Sequence, residues 1–172
     1  RYLHGLSPKL LHRDVKPHNL ILRPDGRVSL VDFGSVRDLS APVTHRYTLV
    51  GNFGYMPWEQ LGGTVSPASD LYALGMSLVH LLTRRPPSDL FGPDMQLDVG
   101  RHVDVSPTML AFLRRMTARN PQDRFESAAA ARAALDAPAP LVVRAEHQPP
   151  TPWAAASPIT APAPIAPFPR DT

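Results

Sequence analysis

The chain has 172 residues, a formal net charge of +3 and no cysteine. A chain of this length can form one domain with a substantial core, and the lack of cysteine excludes disulfides and thiolate metal sites and fits a reducing compartment. Because the sequence has no basic stripe with interleaved aromatic residues and no apolar run as long as a membrane span, we expect no nucleic-acid partner and no membrane span within this chain.

The first residues of the chain contain no signal peptide. The chain begins with Arg1 rather than methionine, which suggests a start inside a longer protein. Residues 1–7 have the character of the end of a helix.

Two short β-type runs follow, at residues 20–22 and 28–31. A proline-aspartate-glycine turn lies between them, so the pattern predicts a β-hairpin. Asn19 directly precedes the first strand, and Asp32 directly follows the second. Because the two open ends of a hairpin lie side by side, we expect these side chains to be close enough to share a metal ion.

A group of polar residues surrounds this hairpin. Asp14 and Lys16 lie shortly before Asn19, and Asp32 adds a second carboxylate. A hard cation prefers oxygen ligands, an ammonium group can neutralise phosphoryl oxygens, and a carboxylate can receive a hydroxyl proton. Taken singly, each residue could be an ordinary turn, surface or loop-capping residue. Together they favour chemistry on a magnesium-bound phosphate.

Three helices are predicted in the second half of the chain. Ser66 and Ser106 are each followed by proline, which is typical of an N-cap and the first helical position, and Ser127 can cap an alanine-rich helix that ends near Leu135. Apolar residues follow at three- and four-residue steps: Leu71, Leu74, Leu78, Leu81, Leu82, Leu110, Leu113 and Met116. The predicted fold class is α+β and mainly α-helical, with a two-stranded ribbon packed on several helices.

The composition changes at about residue 138. Ten of the 21 prolines lie between residues 138 and 172, among many alanines. Proline lacks a backbone donor and disfavours helix at the preceding residue, so we interpret residues 138–172 as a disordered Pro/Ala-rich linker or tail and residues 1–137 as the folded domain. A ligand for proline-binding domains is the less favoured interpretation.

The spacing H-R-D-x-K-P-x-N at residues 12–19, followed by D-F-G at residues 32–34, resembles the catalytic and metal-binding loops of protein kinases. Lysine two residues after the first aspartate is the serine/threonine-kinase pattern, and the sequences after residue 55 are similar to bacterial members. The resemblance implies that Asp14 accepts the substrate's hydroxyl proton, that Lys16 neutralises the transferring phosphoryl group, and that Asn19 and Asp32 hold the Mg²⁺ ions that bridge the ATP phosphates. Ile21 would lie beneath the adenine.

The same resemblance implies supporting roles for further residues. Residues 51–59 resemble the family segment G-T-x-x-Y-x-A-P-E, with Asn52 in place of the threonine that bonds to the catalytic aspartate and lysine. Glu59 would pair with an arginine further along the chain, and Asp70 would receive backbone donors from the catalytic loop. The remaining supporting residues are His12, Arg13, Phe33, Gly34 and Arg124.

Residues 35–55 resemble an activation segment. Arg13 marks the kinase subtype that often requires a phosphorylated residue in this segment, and a phosphate can order a loop against arginines such as Arg13 or Arg37. The candidate phosphosites are Thr44 and Thr48, with Ser40 the weaker one.

The resemblance covers residues 1–135 and only the C-terminal, larger lobe of a kinase. The glycine-rich loop, the strand lysine and the helix glutamate precede H-R-D in the family, but only eleven residues precede His12 here. We therefore expect an absent N-terminal lobe of the same parent protein as a partner, besides a protein substrate with a Ser/Thr acceptor, and weak or no activity in this fragment. The expected localisation is cytoplasmic, and a membrane anchor beyond the tail is left open.

Two other functions remain open. A non-catalytic scaffold or pseudokinase-like binding module is favoured by Asn52 and the missing lobe, and disfavoured by the complete set of Asp14, Lys16, Asn19 and Asp32. An ATP-dependent phosphotransferase acting on small molecules shares the metal chemistry, but Lys16 and the Glu59 region argue against it.

Overall fold

The computed structural model describes residues 2–38 and 53–137, which fall within one unit of the chain, Arg1–Ala139. Within these residues the strands are β1 Leu10–Leu11, β2 Leu20–Leu22, β3 Val28–Leu30 and β4 Arg37–Asp38, and the helices are α1 Trp58–Leu61, α2 Pro67–Thr83, α3 Pro107–Met116 and α4 Ala128–Asp136. The fold is α+β and mainly helical, as predicted. Residues 39–52, which include most of the expected activation segment, lie outside the described part of the chain.

The strands form two small antiparallel sheets. Strands β2 and β3 pair in the predicted hairpin, with Leu20 opposite Leu30 and Leu22 opposite Val28. Gly26 closes the turn with a φ of 78°, a conformation that glycine adopts without strain. The second sheet pairs β1 with β4, and the sequence did not predict it because two-residue strands carry no readable period.

Helix α2 is the central element. Ser66 accepts a hydrogen bond from the Ala68 amide, while its own amide donates to Ser69 Oγ, so the first turn is capped in both directions. The helix ends where Arg84 adopts a left-handed conformation and its amide bonds to the His80 carbonyl. The predicted helix start at Ser66-Pro67 is therefore confirmed.

The main core lies between α2, α3 and α4. Val79 of α2 and Leu113 of α3 are fully buried in it. Gly75 marks the closest approach of α2 and α3, because a Cβ atom there would lie 2.7 Å from the Met116 Cβ. The remaining buried members of this core are Leu71, Leu90, Val99, Phe112, Met116, Phe125 and Ala131.

The segment between α2 and α3 is irregular. Its described residues contain the 3₁₀ turns Pro87–Leu90 and Val99–Arg101 and no α-helix. Residues 2–7, where the end of a helix was expected, contain a short 3₁₀ helix at Leu3–Gly5. None of the helices in the described residues has the length and apolar character needed to span a membrane.

Candidate active site

Asp14, Lys16 and Asn19 meet in one hydrogen-bonded group just before the hairpin. The Lys16 ammonium lies 2.9 Å from Asp14 Oδ2. The Asn19 side-chain amide donates to Asp14 Oδ2 at 3.0 Å and to the Asp14 carbonyl at 2.8 Å. Because Asn19 is buried and Asp14 and Lys16 are half-buried, these contacts hold the Asp14 carboxylate in one orientation at the edge of the site.

The hairpin positions Asp32 beside this group. The Val31 amide donates to the Asn19 carbonyl at 2.9 Å, which joins the two open ends of β2 and β3. Asp32 itself is exposed and adopts a left-handed conformation, with a φ of 64°. Its Oδ1 accepts a bond from the Gly34 amide at 3.3 Å, and a Cβ at Gly34 would lie 3.3 Å from the same oxygen. Glycine at this position therefore leaves room for the carboxylate.

Asn19 and Asp32 fit a magnesium ion in their donor chemistry. Because the Asn19 side-chain nitrogen is used on Asp14, its amide oxygen remains available as a ligand, and Asp32 Oδ2 accepts no hydrogen bond from a described residue. No cluster of three or more His, Asp or Glu side chains that could hold a metal occurs among the described residues. Asn19 and Asp32 would hold such an ion, and a site with few protein ligands suits Mg²⁺ because this ion keeps water and phosphate oxygens as ligands.

A buried carboxylate on α2 fixes the catalytic loop. Asp70 accepts the His12 amide at 2.9 Å and the Arg13 amide at 2.8 Å, one on each oxygen. Arg13 has a φ of 67°, an uncommon conformation for a non-glycine residue that the surrounding bonds must hold in place. The Gln60 side chain contributes by donating to the Arg13 carbonyl at 2.9 Å.

His4 joins Asp70 from the beginning of the chain. Its Nε2 lies 2.8 Å from Asp70 Oδ2, so the carboxylate has three donors in total. Neither His4 nor Gln60 was singled out from the sequence. The contact spans 66 positions, and no local spacing pattern reports a pairing at that distance.

His12 connects the catalytic loop to the hairpin. Its Nε2 donates to the Val31 carbonyl at 3.1 Å, and its ring meets the Phe33 ring edge-on at a centroid distance of 5.2 Å. Phe33 remains 52% exposed, which is more than we expected for a packing residue. The two motifs identified in the sequence are therefore in direct contact.

Glu59 and Arg124 form a bidentate ion pair at 2.7 and 3.2 Å. The Arg124 side chain is completely buried. Its other donors bond to three backbone carbonyls, so all five guanidinium N–H groups are satisfied; these carbonyls belong to Ala68, Ala118 and Arg119. Ser69 Oγ donates to Glu59 Oε1 at 2.9 Å. The pair therefore joins α1, α2 and the segment before α4.

Tyr72 packs against the same guanidinium, which lies 4.7 Å from the centre of its ring. Burial raises the pKa of Tyr72 to about 12, and the Glu59 carboxylate adds to this, while the Arg124 charge partly opposes it. Tyr72 is consequently a neutral phenol over the whole physiological range. Its ring packs against the buried guanidinium of Arg124.

One predicted site residue lies apart from these clusters, and three others cannot be placed. Ile21 on β2 is 50% exposed and points away from the groove that Leu20 and Leu22 line. Asn52, Thr44 and Thr48 lie outside the described residues, so their predicted roles remain predictions.

A large apolar groove lies between the hairpin and α2. Its volume is about 920 Å³. The hairpin side presents Leu20, Leu22, Val28 and Leu30, and the helix side presents Leu71, Leu74, Leu78 and Leu81. Leu22, Val28 and Leu81 are each more than half exposed, and a contiguous apolar surface of this kind marks an interaction site.

Comparison with known proteins gives concordant results. The family model described as "Protein kinase domain" matches residues 1–136. The serine/threonine-protein kinase PknA of Nostoc sp. is 37% identical over 137 residues, covering 74% of this chain and 24% of that protein. PknB of Mycolicibacterium smegmatis is 35% identical over 143 residues (73% and 22%), and PknL of Mycobacterium tuberculosis is 35% identical over 158 residues (83% and 39%). The chain thus spans well under half the length of these relatives.

Proposed function

Because the chain belongs to the protein kinase family, we propose that it forms the C-terminal lobe of a serine/threonine kinase domain, whose parent transfers the γ-phosphate of ATP to serine or threonine hydroxyls of proteins. The observation that carries the proposal is the bonded group of Asp14, Lys16 and Asn19 next to Asp32. Phosphoryl transfer depends mainly on positioning and electrostatic stabilisation, and this group has the required charges in a fixed arrangement.

Each residue has a definite task in this proposal. Asp14 is the proton acceptor for the attacking hydroxyl, with its orientation set by Asn19. Lys16 contacts the transferring phosphoryl oxygens. Its ammonium group lies at the Asp14 carboxylate, and its flexible side chain can reach the phosphoryl group from there. Asn19 and Asp32 hold Mg²⁺, which neutralises charge on the ATP phosphates when bound.

Asp70 and His12 act through other residues in this proposal. Asp70 holds the two backbone amides that precede Asp14, and His12 connects that loop to the end of β3. Both keep Asp14 and Asp32 at a constant separation. They are positioning residues and touch no reacting atom.

The apolar groove supports the second part of the proposal, which is that an N-terminal lobe of the same parent is required. Apolar side chains that remain in contact with water contribute no hydrophobic stabilisation to the fold. A contiguous apolar surface such as this groove is therefore expected to be covered by a partner. A partner element that covers the hairpin and α2 would bury Leu22, Val28 and Leu81. We therefore expect weak activity, or none, from this chain alone. The exposed groove also suits a non-catalytic scaffold, which is the second candidate function.

The remaining parts of the proposal concern residues outside the described ranges and the setting of the protein. Thr44 and Thr48 are proposed phosphorylation sites of the activation segment. Residues 138–172 are proposed to be a linker after the kinase region, residues 1–137. The proposed location of the domain is cytoplasmic.

The test is phosphate transfer by the natural gene product that contains this chain. We expect Mg²⁺-dependent incorporation of labelled phosphate into a protein substrate, lowered at least about a hundredfold by Asp14→Asn or Asp32→Asn. Asp25→Asn is the matched control, because this exposed carboxylate bonds only within the hairpin turn and should leave the rate unchanged. Magnesium-dependent ATP binding without any transfer would favour the scaffold. Transfer that survives Asp14→Asn would disprove the proposed base.

A further inference from the structure

The backbone of the catalytic loop is held at several points by side chains from other parts of the fold. Asp70 of α2 accepts the amides of the two residues before Asp14, and the Asn19 side chain donates to the Asp14 carbonyl. The carbonyl between these points, that of Arg13, accepts the side-chain amide of Gln60 at 2.9 Å. A buried carbonyl without a donor is costly, so each of these contacts contributes to the shape of the loop.

Gln60 is buried although its side chain is polar. It is 2% exposed on the short helix α1, and its bond to the Arg13 carbonyl joins positions 47 residues apart. Burying a glutamine amide removes it from water and restricts a flexible side chain, while methionine would fill a similar volume without the first of these costs. The buried position of Gln60 therefore points to a role for its hydrogen-bond donor.

The Gln60 bond fixes a residue whose conformation is unfavourable. Arg13 has a φ of 67°, in the left-handed region that residues other than glycine seldom adopt. Asp70 holds the peptide group on the N-terminal side of Arg13 through its amide, and Gln60 holds the peptide group on the C-terminal side through its carbonyl. Because peptide groups are planar, the two contacts together set both backbone dihedral angles of Arg13. The second of these peptide groups leads directly into Asp14.

Helix α1 supports this contact firmly. Glu59, the residue before Gln60, forms the bidentate pair with Arg124, whose side chain is completely buried. Ser69 Oγ also donates to Glu59. A side chain whose own backbone is fixed in this way holds its partner in one position. A continuous series of contacts thus runs from the buried ion pair through Gln60 to the peptide group before Asp14.

Ser77 of α2 is a weaker candidate for the same task. Its Oγ lies 3.4 Å from the Val15 carbonyl, but it shares its single proton with the Ala73 carbonyl, which lies closer, at 2.8 Å. Gln60 makes the shorter contact with the loop, and it does so on the peptide group that precedes Asp14.

We propose that Gln60 is a positioning residue for phosphoryl transfer, because its hold on the Arg13 carbonyl fixes the direction in which Asp14 presents its carboxylate. The inference rests on the proposed function, in which Asp14 receives the proton of the attacking hydroxyl. Gln60 itself touches no reacting atom. Since the orientation of the base matters when the proton moves, losing the contact lowers kcat and leaves substrate binding nearly unchanged.

The kinetic test compares the natural gene product that contains this chain with its Gln60→Met variant. We expect kcat per folded molecule to fall about tenfold, while KM for ATP and for the protein substrate changes less than about twofold. Circular dichroism in the assay buffer gives the folded fraction, so a loss of folded protein is separated from a loss of rate. Thr117→Val is the matched control, because it removes a buried hydroxyl bond to the Leu113 carbonyl at the end of α3 and should leave kcat unchanged.

Hydrogen exchange tests the same contact without any catalysis. In Gln60→Met the amides of His12 and Arg13 should exchange at least about fivefold faster, because the loop loses one of its restraints. The amides of α3 should exchange at the wild-type rate. Thr117→Val should leave the exchange of His12 and Arg13 unchanged.

The outcomes separate this inference from the proposed function. An unchanged kcat in folded Gln60→Met, with or without a raised KM, would overturn the inference and leave the proposed function standing. A wild-type gene product that transfers no phosphate would refute the proposed function, and the exchange data would then decide alone. Faster exchange at His12 and Arg13 would retain Gln60 as the residue that holds the loop, and unchanged exchange would overturn that role as well.

Discussion

The two faces of helix α2 differ in how they are stabilised. On one face Val79 and Met76 are fully buried, and Gly75 lets α3 approach closely. On the other face Leu78 and Leu81 line the apolar groove, and the hairpin opposite them is largely exposed. The helical side thus has a complete core, while the hairpin side is joined to α2 by the polar contacts of Asp70 and by the bond from Ser77 Oγ to the Val15 carbonyl. The candidate active site therefore lies on the hairpin side, which has the smaller buried core.

This comparison predicts that breaking the helical side unfolds the whole domain. Arg124→Met should lower the free energy of unfolding by about 3–5 kcal/mol, because Glu59 would remain partly buried without its partner and three carbonyls would lose donors. Chemical denaturation of the full chain measures the loss. Arg132→Met is the matched control, since its ion pair with Asp136 is exposed to solvent and should contribute little to the free energy of unfolding. Similar losses for both variants would contradict the special role of the buried pair.

Breaking the polar connection should instead have a local effect. Asp70→Asn replaces one acceptor oxygen by an NH2 donor that would face the amide of either His12 or Arg13, at a cost of about 1–3 kcal/mol. Hydrogen exchange should accelerate for residues 10–22 and remain nearly unchanged in α3. Uniform acceleration throughout the described residues would show that the two sides unfold together.

The smallest predicted effect is a loss of folding stability at alkaline pH that is caused by Tyr72 on the helical side. The folded-state pKa of Tyr72 is raised to about 12 from its ordinary value of 10.0, so its contribution is fully present below pH 10 and is lost as the pH rises towards 12. The loss reaches about 2 kcal/mol, because the unfolded chain binds fewer protons than the folded one in this interval. Tyr72→Phe should flatten the decline in unfolding free energy between pH 9 and about 11. An unchanged slope would mean that another group causes the alkaline decline.

Local patterns in the sequence predicted the parts of the fold that have local causes. The serine caps and the proline-aspartate-glycine turn predicted the start of α2, the start of α3 and the hairpin, because their hydrogen bonds join residues only a few positions apart. The proximity of Asn19 and Asp32 followed from the hairpin alone. Local sequence patterns were therefore sufficient to predict which residues lie at the open ends of β2 and β3.

The residues that support the site were less accessible to such reasoning. The pairing of Asp70 with His4 and the bond from Gln60 to the Arg13 carbonyl join distant positions, and nothing in the local composition marks them. The β1–β4 ladder is too short to show a period. The sequence indicated the tail of a helix at residues 1–7, but not that its described part is a 3₁₀ helix of three residues, Leu3–Gly5.

The tip of the hairpin has a practical consequence for engineering. Asp25 and Gly26 are exposed, a side chain at Gly26 would meet no atom within 4 Å, and the tip is at the end of the ribbon opposite Asn19 and Asp32. Loop tips of this kind accept inserted sequence, provided that the strand register is kept. An epitope tag or a small reporter domain could therefore be spliced in after Asp25 while the metal-binding end of the ribbon keeps its geometry. A deletion within β2 or β3 would shift one partner relative to the other and separate Asn19 from Asp32.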